Sequence, residues 1–496
     1  MGINAAAGRV GHNPAAAGES HNGGTPAEPG PGRRRCAPEG PTGRRAAHRR
    51  GPARQPGVAL EGVETMERIV VRGGRPLKGQ VRISGAKNAA LPILAATLLA
   101  EEPCLLYDIP ALDDVDTMIR LLTELGVTVG PGADGALAVH PADELAFAAP
   151  YDLVRRMRAS ILVLGPLVAR LGRARAALPG GCAIGQRPID LHLKGFAALG
   201  AEVEVTGGEV EVRAPRGLRG TSIYLDVPSV GATENIMMAA VLAEGTTTIE
   251  NAAEEPEIVD LANFLNTLGA DVRGAGTRVI QIHGVPALGG GTYTVIPDRI
   301  EAGTFLLAPL IAGGQVTATG VVPEHLKSLL AKVREMGADV VVDGDQVTVA
   351  MDGRPRAVDV KTLPYPGFPT DLQAPMMAAL ATAEGTATVT ETLFENRFTH
   401  VPELRRMGAR IQIQGQTAIV TGVERLQGAP VTATDLRSGA ALVLAGLGAE
   451  GVTEVSGVHH IDRGYVTIEQ KLRGLGADVA RLSTEDDPVV PELLLR

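Results

Sequence analysis

Two kinds of helix alternate along the chain. The first kind is almost wholly apolar: NAALPILAATLLAEE (88–102), RASILVLGPLVARLG (158–172), ATENIMMAAVLAEG (232–245), AGTFLLAPLIAGG (302–314), DLQAPMMAALATAEG (371–385) and SGAALVLAGLGAEG (438–451). A helix apolar on every side has to be buried on every side. The second kind is amphipathic, as in PEIVDLANFLNTLG (256–269), and suits the outside of a core. Each amphipathic helix ends on one phrase, a Leu or Met, then Gly, then a short strand. The phrase reads LLTELGVTV (121–129), FAALGAEV (196–203), FLNTLGADV (264–272), VREMGADV (333–340), ELRRMGARI (403–411) and KLRGLGADV (471–479). Its glycines, Gly126, Gly200, Gly269, Gly337, Gly408 and Gly476, lie 74, 69, 68, 71 and 68 residues apart. Glycine at that place predicts a left-handed residue closing the helix before the chain turns into a strand. Thr-rich runs after the apolar helices (TTTIENA, 246–252; TATVTET, 386–392) predict sheets outside a helical core. The pattern is therefore a sixfold α/β repeat from Met66 onward, with ERIVVRGG (67–74) as its opening strand. Units of this size are subdomains rather than solenoid turns, and six group more naturally as three and three.

Composition changes the picture at one end. The chain has 496 residues, 47 Lys plus Arg against 56 Asp plus Glu, and 45% hydrophobic residues. Residues 1–65 hold 9 Arg, 5 Glu, no Lys and no Asp, so this stretch carries +4 and the remainder −13. Thirteen Gly, 8 Pro and 12 Ala fill it, without one aromatic residue. Such a segment buries too little apolar surface to offset its ordering entropy and reads as a disordered, dispensable extension without a secretory h-region. Its Arg33–Arg35, Arg44/Arg45 and Arg49/Arg50 clusters are the only basis for a nucleic-acid role, which an acidic remainder does not favour. Three cysteines, Cys36, Cys104 and Cys182, make no disulfide framework, and no run has the length of a membrane span. A soluble cytoplasmic protein is expected.

Several segments carry a specific likeness: SGAKNAALPILAATLLA (84–100), MRAS (157–160), LPGGCAIGQRPIDLH (178–192), PSVGATENIMMAA (228–240), PDRIEAGTF (297–305), FPTDLQAP (368–375), FENRFTHVPEL (394–404), ATDLRSGAALVLAG (433–446) and HIDRGY (460–465). In these the chain resembles the UDP-N-acetylglucosamine 1-carboxyvinyltransferases (UDP-N-acetylglucosamine enolpyruvyl transferases), from about Met66 to Arg481. The resemblance implies a two-domain inside-out α/β barrel with three repeats per domain and an active site in the cleft between them. The chain would cross between domains near Ala86–Lys87 and Ile296–Pro297. That gives one domain of 87–296, another of 66–86 plus 297–485, and a tail of 486–496.

The implied reaction moves the enolpyruvyl group of phosphoenolpyruvate onto the 3′-hydroxyl of UDP-N-acetylglucosamine and releases phosphate, the first committed step of peptidoglycan synthesis. Both substrates are polyanions, so an acidic protein needs a local basic pocket, for which arginine's planar fork is suited. By motif position Lys87, Arg187 and Arg463 grip phosphoenolpyruvate with help from Asn88 and Arg437, and the helix N-terminus at Lys87 adds donors. Cys182, in a Gly-rich loop with an Arg five residues on, matches the family's general acid and fosfomycin target. Asp371 matches a general base near the sugar hydroxyl, although Thr370-Asp371 also has the look of an N-cap. Asp435 is a further candidate for proton removal. Arg187, Pro188, Ile189, Asp190 and Leu191 would surround the uracil, with Ser229, Val230, Gly231, Arg158 and Leu393 completing the nucleotide site. Val227 stands where some family members carry a Lys, which puts one pyrophosphate contact in doubt. No metal or other cofactor is expected, since the ten His are scattered. Domain closure over the nucleotide would carry Cys182 across the cleft and exclude water. The rival readings are a shikimate-pathway enolpyruvyl transferase and a non-catalytic, sugar-nucleotide-binding paralogue.

Overall fold

The computed structural model describes residues 67–178 and 189–483. Twelve helices carry the architecture and alternate in kind, as the hydrophobic pattern requires. The central ones are α1 (Lys87–Ala96), α3 (Leu164–Leu171), α5 (Val230–Ala240), α7 (Arg299–Ala312), α9 (Gln373–Leu380) and α11 (Leu436–Gly448). The covering ones are α2 (Asp113–Glu124), α4 (Asp190–Ala198), α6 (Pro256–Thr267), α8 (Lys327–Glu335), α10 (Val401–Arg406) and α12 (Ile468–Gly474). All of α9 is buried, as are Ile300–Leu310 of α7 and Arg437–Leu447 of α11, whereas α2 and α8 bury only one face. The six marker glycines all have φ between 89° and 106°, so each closes its helix in the left-handed region.

The strands that follow the central helices pair by one rule. Thr246–Glu250 lies parallel to Ser222–Tyr224 and antiparallel to Val279–His283, which pairs in turn with Asp271–Arg273. Thr386–Thr390 repeats this with Val360–Lys361, Thr417–Thr421 and Arg410–Gln414. Among the described residues there are six such sheets, five of four strands and one of three. Three are closed by distant chain, one of them by Leu77–Arg82 alongside Gly314–Thr319. Gly291–Thr294 supplies the parallel strand beside Cys104–Tyr107, and Arg68–Arg72 lies between Val452–Ser456 and Asp478–Leu482.

The buried apolar residues form two clusters. One runs from Ala86 to Val295; the other takes Ile69–Ile83 and Ile300–Val479. The elements around each are called here the first and second lobe. In the second lobe α7, α9 and α11 pack mutually. In the first, α3 and α5 pack directly, and α1 reaches α3 through its 3₁₀ continuation Thr97–Leu99. The apolar run 158–172 is not α-helical throughout: Arg158–Val163 is 3₁₀ and the α-helix begins at Leu164. The α3–α5 crossing explains the change of geometry. Gly165 donates its N–H to Asn235 Oδ1 at 2.7 Å, and a Cβ on Gly165 would lie 2.3 Å from the Asn235 carbonyl oxygen. Among the described residues no helix is long and apolar enough to cross a membrane.

Two stability outcomes follow from this packing. Gly165→Ala must push two backbones apart and is expected to cost about 1–3 kcal/mol in denaturant unfolding, whereas Gly474→Ala, with nothing near its Cβ, should be neutral or gain about 0.5 kcal/mol. His400 is fully buried against Met377, and burial pushes it down to about 4. The unfolded chain takes up that proton below about pH 6.5, the folded chain only near pH 4, so the unfolded state binds more protons in between and stability falls with pH. His400→Gln should therefore lose less stability than the wild type between pH 6.5 and 4, by roughly 3 kcal/mol at most, in parallel melts across that range.

Candidate functional site

Lys87 is the first residue of α1 and, at 8% exposed, is nearly sealed. Its Nζ donates to Asp114 Oδ2 at 3.0 Å from the first turn of α2. The same carboxylate accepts from Arg463 of the second lobe, Nε to Oδ1 at 2.9 Å and Nη2 to Oδ2 at 3.4 Å. Asp114 is thus a buried anion shared by two cations from opposite lobes. Burial lowers the Lys87 ammonium despite its partner. Burial would raise Asp114, but Lys87 and Arg463 outweigh it and hold the carboxyl below its usual range. The anion-binding helix N-terminus expected at Lys87 is already engaged at its first amide, which donates to Asp298 Oδ2 at 3.4 Å. Asn88, the next residue, is exposed.

A second shared carboxylate lies on the second lobe. Asp371 Oδ1 accepts from Arg397 Nη2 at 2.7 Å, and Oδ2 from Arg437 Nε and Nη2 at 3.2 and 2.9 Å. The Asp371 side chain keeps 25% of its surface, while each arginine keeps 4%. Burial would raise this carboxyl, yet Arg437 and Arg397 hold it far below the carboxylate range. Asp371 therefore does not cap the following helix: it sits in the 3₁₀ turn Thr370–Leu372, and α9 starts at Gln373 without a side-chain cap. Thr370 instead donates to Glu391 Oε2 at 2.8 Å, and Glu391 Oε1 accepts the N–H groups of Leu393 and Phe394. This fixes Leu393, a partly exposed residue, on the turn next to Asp371. Asp435 is an N-cap, accepting from the Arg437 and Ser438 amides at 2.9 and 3.0 Å, and it also accepts from Thr399 Oγ1 at 2.6 Å. Arg437 lies over the Tyr465 ring at 5.4 Å, and its buried Nη1 has no hydrogen-bond partner. Arg437 also acts electrostatically on Lys87, and Arg299 feels Asp371, so the two carboxylate centres belong to one region.

The expected nucleotide residues gather around α4 and α5 on the first lobe. Ser229 caps α5, its Oγ accepting from Ala232 N–H at 3.4 Å, and Val230 and Gly231 form the first turn. Ile189, buried, and Asp190 and Leu191 lead into α4. His192 joins the two: a Cβ on Gly231 would meet its ring at 3.3 Å, and its Nδ1 lies 3.1 Å from Asn235 Nδ2. Burial, then the positive charge of Arg158, lowers His192 to about 4. Arg158 is thereby placed near this group. Val227 is 58% exposed just before the cap. Cys182, Arg187 and Pro188 lie outside the described residues, as does Cys36. Among the described residues no cluster of His, Cys, Asp or Glu has metal-site geometry.

Sequence reasoning passed over Asp114, Arg397, Glu257 and Arg299. Arg299 opens α7 and grips Glu257 of α6 at 3.1 and 3.3 Å, a second buried ion pair between the lobes. Arg397 stands in FENRFTH, beside a cue already read, but nothing local shows that it turns toward Asp371. Asp114, in the acidic first turn of an amphipathic helix, has the look of a dipole-stabilising surface residue.

The family model for EPSP synthase (3-phosphoshikimate 1-carboxyvinyltransferase) matches residues 71–472. A UDP-N-acetylglucosamine 1-carboxyvinyltransferase 2 of Carboxydothermus hydrogenoformans is 60% identical over 420 residues, covering 84% of this chain and 100% of that protein. A UDP-N-acetylglucosamine 1-carboxyvinyltransferase of Halorhodospira halophila is 55% identical over 417 residues, again 84% and 100%. Among solved structures, the enolpyruvyl transferase NikO of Streptomyces tendae superposes with a TM-score of 0.75 at 28% identity, covering 84% of this chain and 99% of that one. An EPSP synthase of Acinetobacter baumannii shares the fold, with a TM-score of 0.66 at 19% identity and coverage of 84% and 100%. The α/β architecture and these likenesses agree: the chain belongs to the EPSP synthase family of enolpyruvyl transferases, among the UDP-N-acetylglucosamine 1-carboxyvinyltransferases.

Proposed function

We propose that the protein transfers the enolpyruvyl group of phosphoenolpyruvate to the 3′-hydroxyl of UDP-N-acetylglucosamine, releasing phosphate, as the first committed step of cell-wall peptidoglycan synthesis. The observation that carries this reading is 55–60% identity, over nearly the full length of each relative, to proteins of that name. The shikimate-pathway alternative has the broad family match and, in a solved EPSP synthase, 19% identity, against 55–60% for the sugar-nucleotide enzymes. The non-catalytic alternative is disfavoured by the presence together of Lys87, Asp114, Asp371, Arg397, Arg437 and Arg463.

The chemistry is an addition followed by an elimination. A proton goes to the methylene carbon of phosphoenolpyruvate while the sugar hydroxyl oxygen attacks the adjacent carbon and loses its proton. Phosphate then leaves that carbon as the methyl group gives up a proton, restoring the double bond. Lys87, Arg463 and Arg437 are the cations assigned to phosphoenolpyruvate, with Asn88 and Arg187 assisting. Two of them, Lys87 and Arg463, are held ready by Asp114, and the third, Arg437, is held by Asp371. Asp371 is assigned as the base for the sugar hydroxyl. Paired with two arginines it is a weak base; an anionic substrate that draws Arg437 away raises its proton affinity at the moment the hydroxyl arrives. Cys182 is assigned as the acid that protonates the methylene carbon, and as the residue that fosfomycin attacks. The nucleotide is assigned to Arg158, Arg187, Pro188, Ile189, Asp190, Leu191, Ser229, Val230 and Gly231 on the first lobe and to Leu393 on the second. The lobes, 87–296 and 66–86 plus 297–485, close on it and exclude water. The reaction needs no metal or redox cofactor, and its setting is the cytoplasm, where both substrates are made.

A phosphate-release assay with both substrates tests the reading, with shikimate 3-phosphate as the competing acceptor. Turnover that depends on UDP-N-acetylglucosamine and is lost on fosfomycin treatment is expected; turnover with shikimate 3-phosphate alone would refute it. Asp371→Asn should lower kcat by about 10²–10⁴ while calorimetry shows nucleotide binding within a few fold of the wild type. Cys182→Ala should abolish most turnover and all fosfomycin labelling, with UDP-N-acetylglucosamine still bound; persistent activity would remove Cys182 from the mechanism.

A further inference from the structure

Two short segments pass between the lobes, 83–87 and 295–299. They run antiparallel, with Gly85 bridged to Pro297. Ala86 N–H donates to the Ile296 carbonyl at 2.7 Å, and Asp298 N–H to the Ser84 carbonyl at 2.8 Å. Two backbone hydrogen bonds give such a ribbon little resistance to twisting. Three buried carboxylates supply the rest, and all three end on backbone close to Lys87.

From the second lobe, Glu301 of α7, 2% exposed, accepts Ser84 N–H at 2.7 Å and Lys471 Nζ at 2.6 Å. Lys471, on α12, also donates to Ser84 Oγ at 2.7 Å. Asp298 accepts the Ile300 and Glu301 amides through Oδ1, at 2.7 and 2.9 Å, and the Lys87 amide through Oδ2. From the first lobe, Asp260 of α6 accepts Ile296 N–H at 3.2 Å and the Tyr293 hydroxyl at 2.6 Å. Each crossing is thus gripped by a carboxylate on a helix of the lobe it leaves. None of Glu301, Lys471 and Asp260 contacts the Asp114 or Asp371 centres, so the substrates do not account for them.

We propose that Glu301, together with Lys471, is a positioning residue for Lys87: it locks the first crossing at Ser84, so that the Lys87 ammonium meets Asp114 and the anion held between the lobes. This rests on the functional reading above, in which Lys87 grips phosphoenolpyruvate. Ser84 is three residues from Lys87, a reach of roughly 10 Å in extended chain. A small rotation at Ser84 therefore displaces Lys87 by an ångström or more, and a misplacement of about 1 Å can cost on the order of 10²-fold in rate. Lys471 bears on the same point from α12, so loosening either partner should have the same effect at Lys87.

The test uses the full chain with Glu301→Gln and, separately, Lys471→Met. An amide at 301 can accept from one donor, but its NH₂ then faces the other. Steady-state kcat and KM for both substrates are measured by phosphate release, and amide hydrogen exchange is followed over residues 84–87. Both variants are expected to exchange at least about tenfold faster there and to lose about 10–100-fold in kcat. KM for UDP-N-acetylglucosamine should stay within about twofold, because Ser229–Gly231 sit on α5, away from the crossing. A folded variant with kcat within twofold of the wild type, or with slowed turnover but unchanged exchange at 84–87, overturns the proposal. A parallel loss in both KM values and in melting temperature would also overturn it, since that marks a merely structural role. If Glu301→Gln does not fold, Lys471→Met is judged alone by the same criteria. Wild-type protein that releases no phosphate defeats the functional reading itself, and Lys87's role with it; an active wild type beside an unaffected variant defeats the clamp alone.

Discussion

Six helices are apolar over most of their surface, and the polar groups at their N-terminal ends decide much of where this protein can do chemistry. Lys87 opens α1, Ser229–Gly231 open α5, Arg299 opens α7, Asp371 lies in the turn before α9, and Asp435–Arg437 open α11. Arg158 opens the 3₁₀ segment that leads into α3. Every one of these is an N-terminal end, where unpaired amides and the helix dipole favour negative charge. Sheets and covering helices pack against their sides, so it is at the ends that these helices meet ligands. This reconciles an acidic protein with polyanionic substrates, because the field that matters is that of a few helix ends and buried cations.

The cations are not left loose. Asp114 takes Lys87 and Arg463, and Asp371 takes Arg397 and Arg437, one carboxylate to two cations in each case. Each centre therefore keeps surplus positive charge while its side chains are held in place. Removing either carboxylate would leave two buried cations unpaired, a far larger penalty than losing a surface bridge. Asp114 does a second thing, since its partners come from different lobes. With Glu257–Arg299 it gives the two lobes a charged seam.

The repeat, the alternation of buried and covering helices and the left-handed glycines were legible because each is a local, periodic requirement. Gly126 and its five counterparts are written into the chain by steric need, and the structure uses all six alike. The 3₁₀ start at Arg158 was not legible, because its cause, the close crossing of Gly165 and Asn235, joins residues seventy positions apart. The site divides in the same way. Lys87, Arg437, Asp371 and Arg463 stand in distinctive motifs, but their partners are chosen by tertiary contact. Asp114 meets Arg463 across 349 residues of chain, and no periodicity records such a pairing. The N-cap look of Thr370-Asp371 is set aside for a related reason: a local preference of modest size yields to two buried guanidinium groups.

The strand Arg68–Arg72 lies between Val452–Ser456 and Asp478–Leu482, so the first strand of the second lobe is completed by the last. During synthesis from the N-terminus, the first lobe has all its sequence by Ile296 and can fold while the rest is still being made. The opening strand, by contrast, must wait through nearly the whole of translation with a hydrophobic edge exposed. Folding of the second lobe is thereby tied to the completion of the chain, and a truncated product is left with an unpaired strand at its start, open to aggregation.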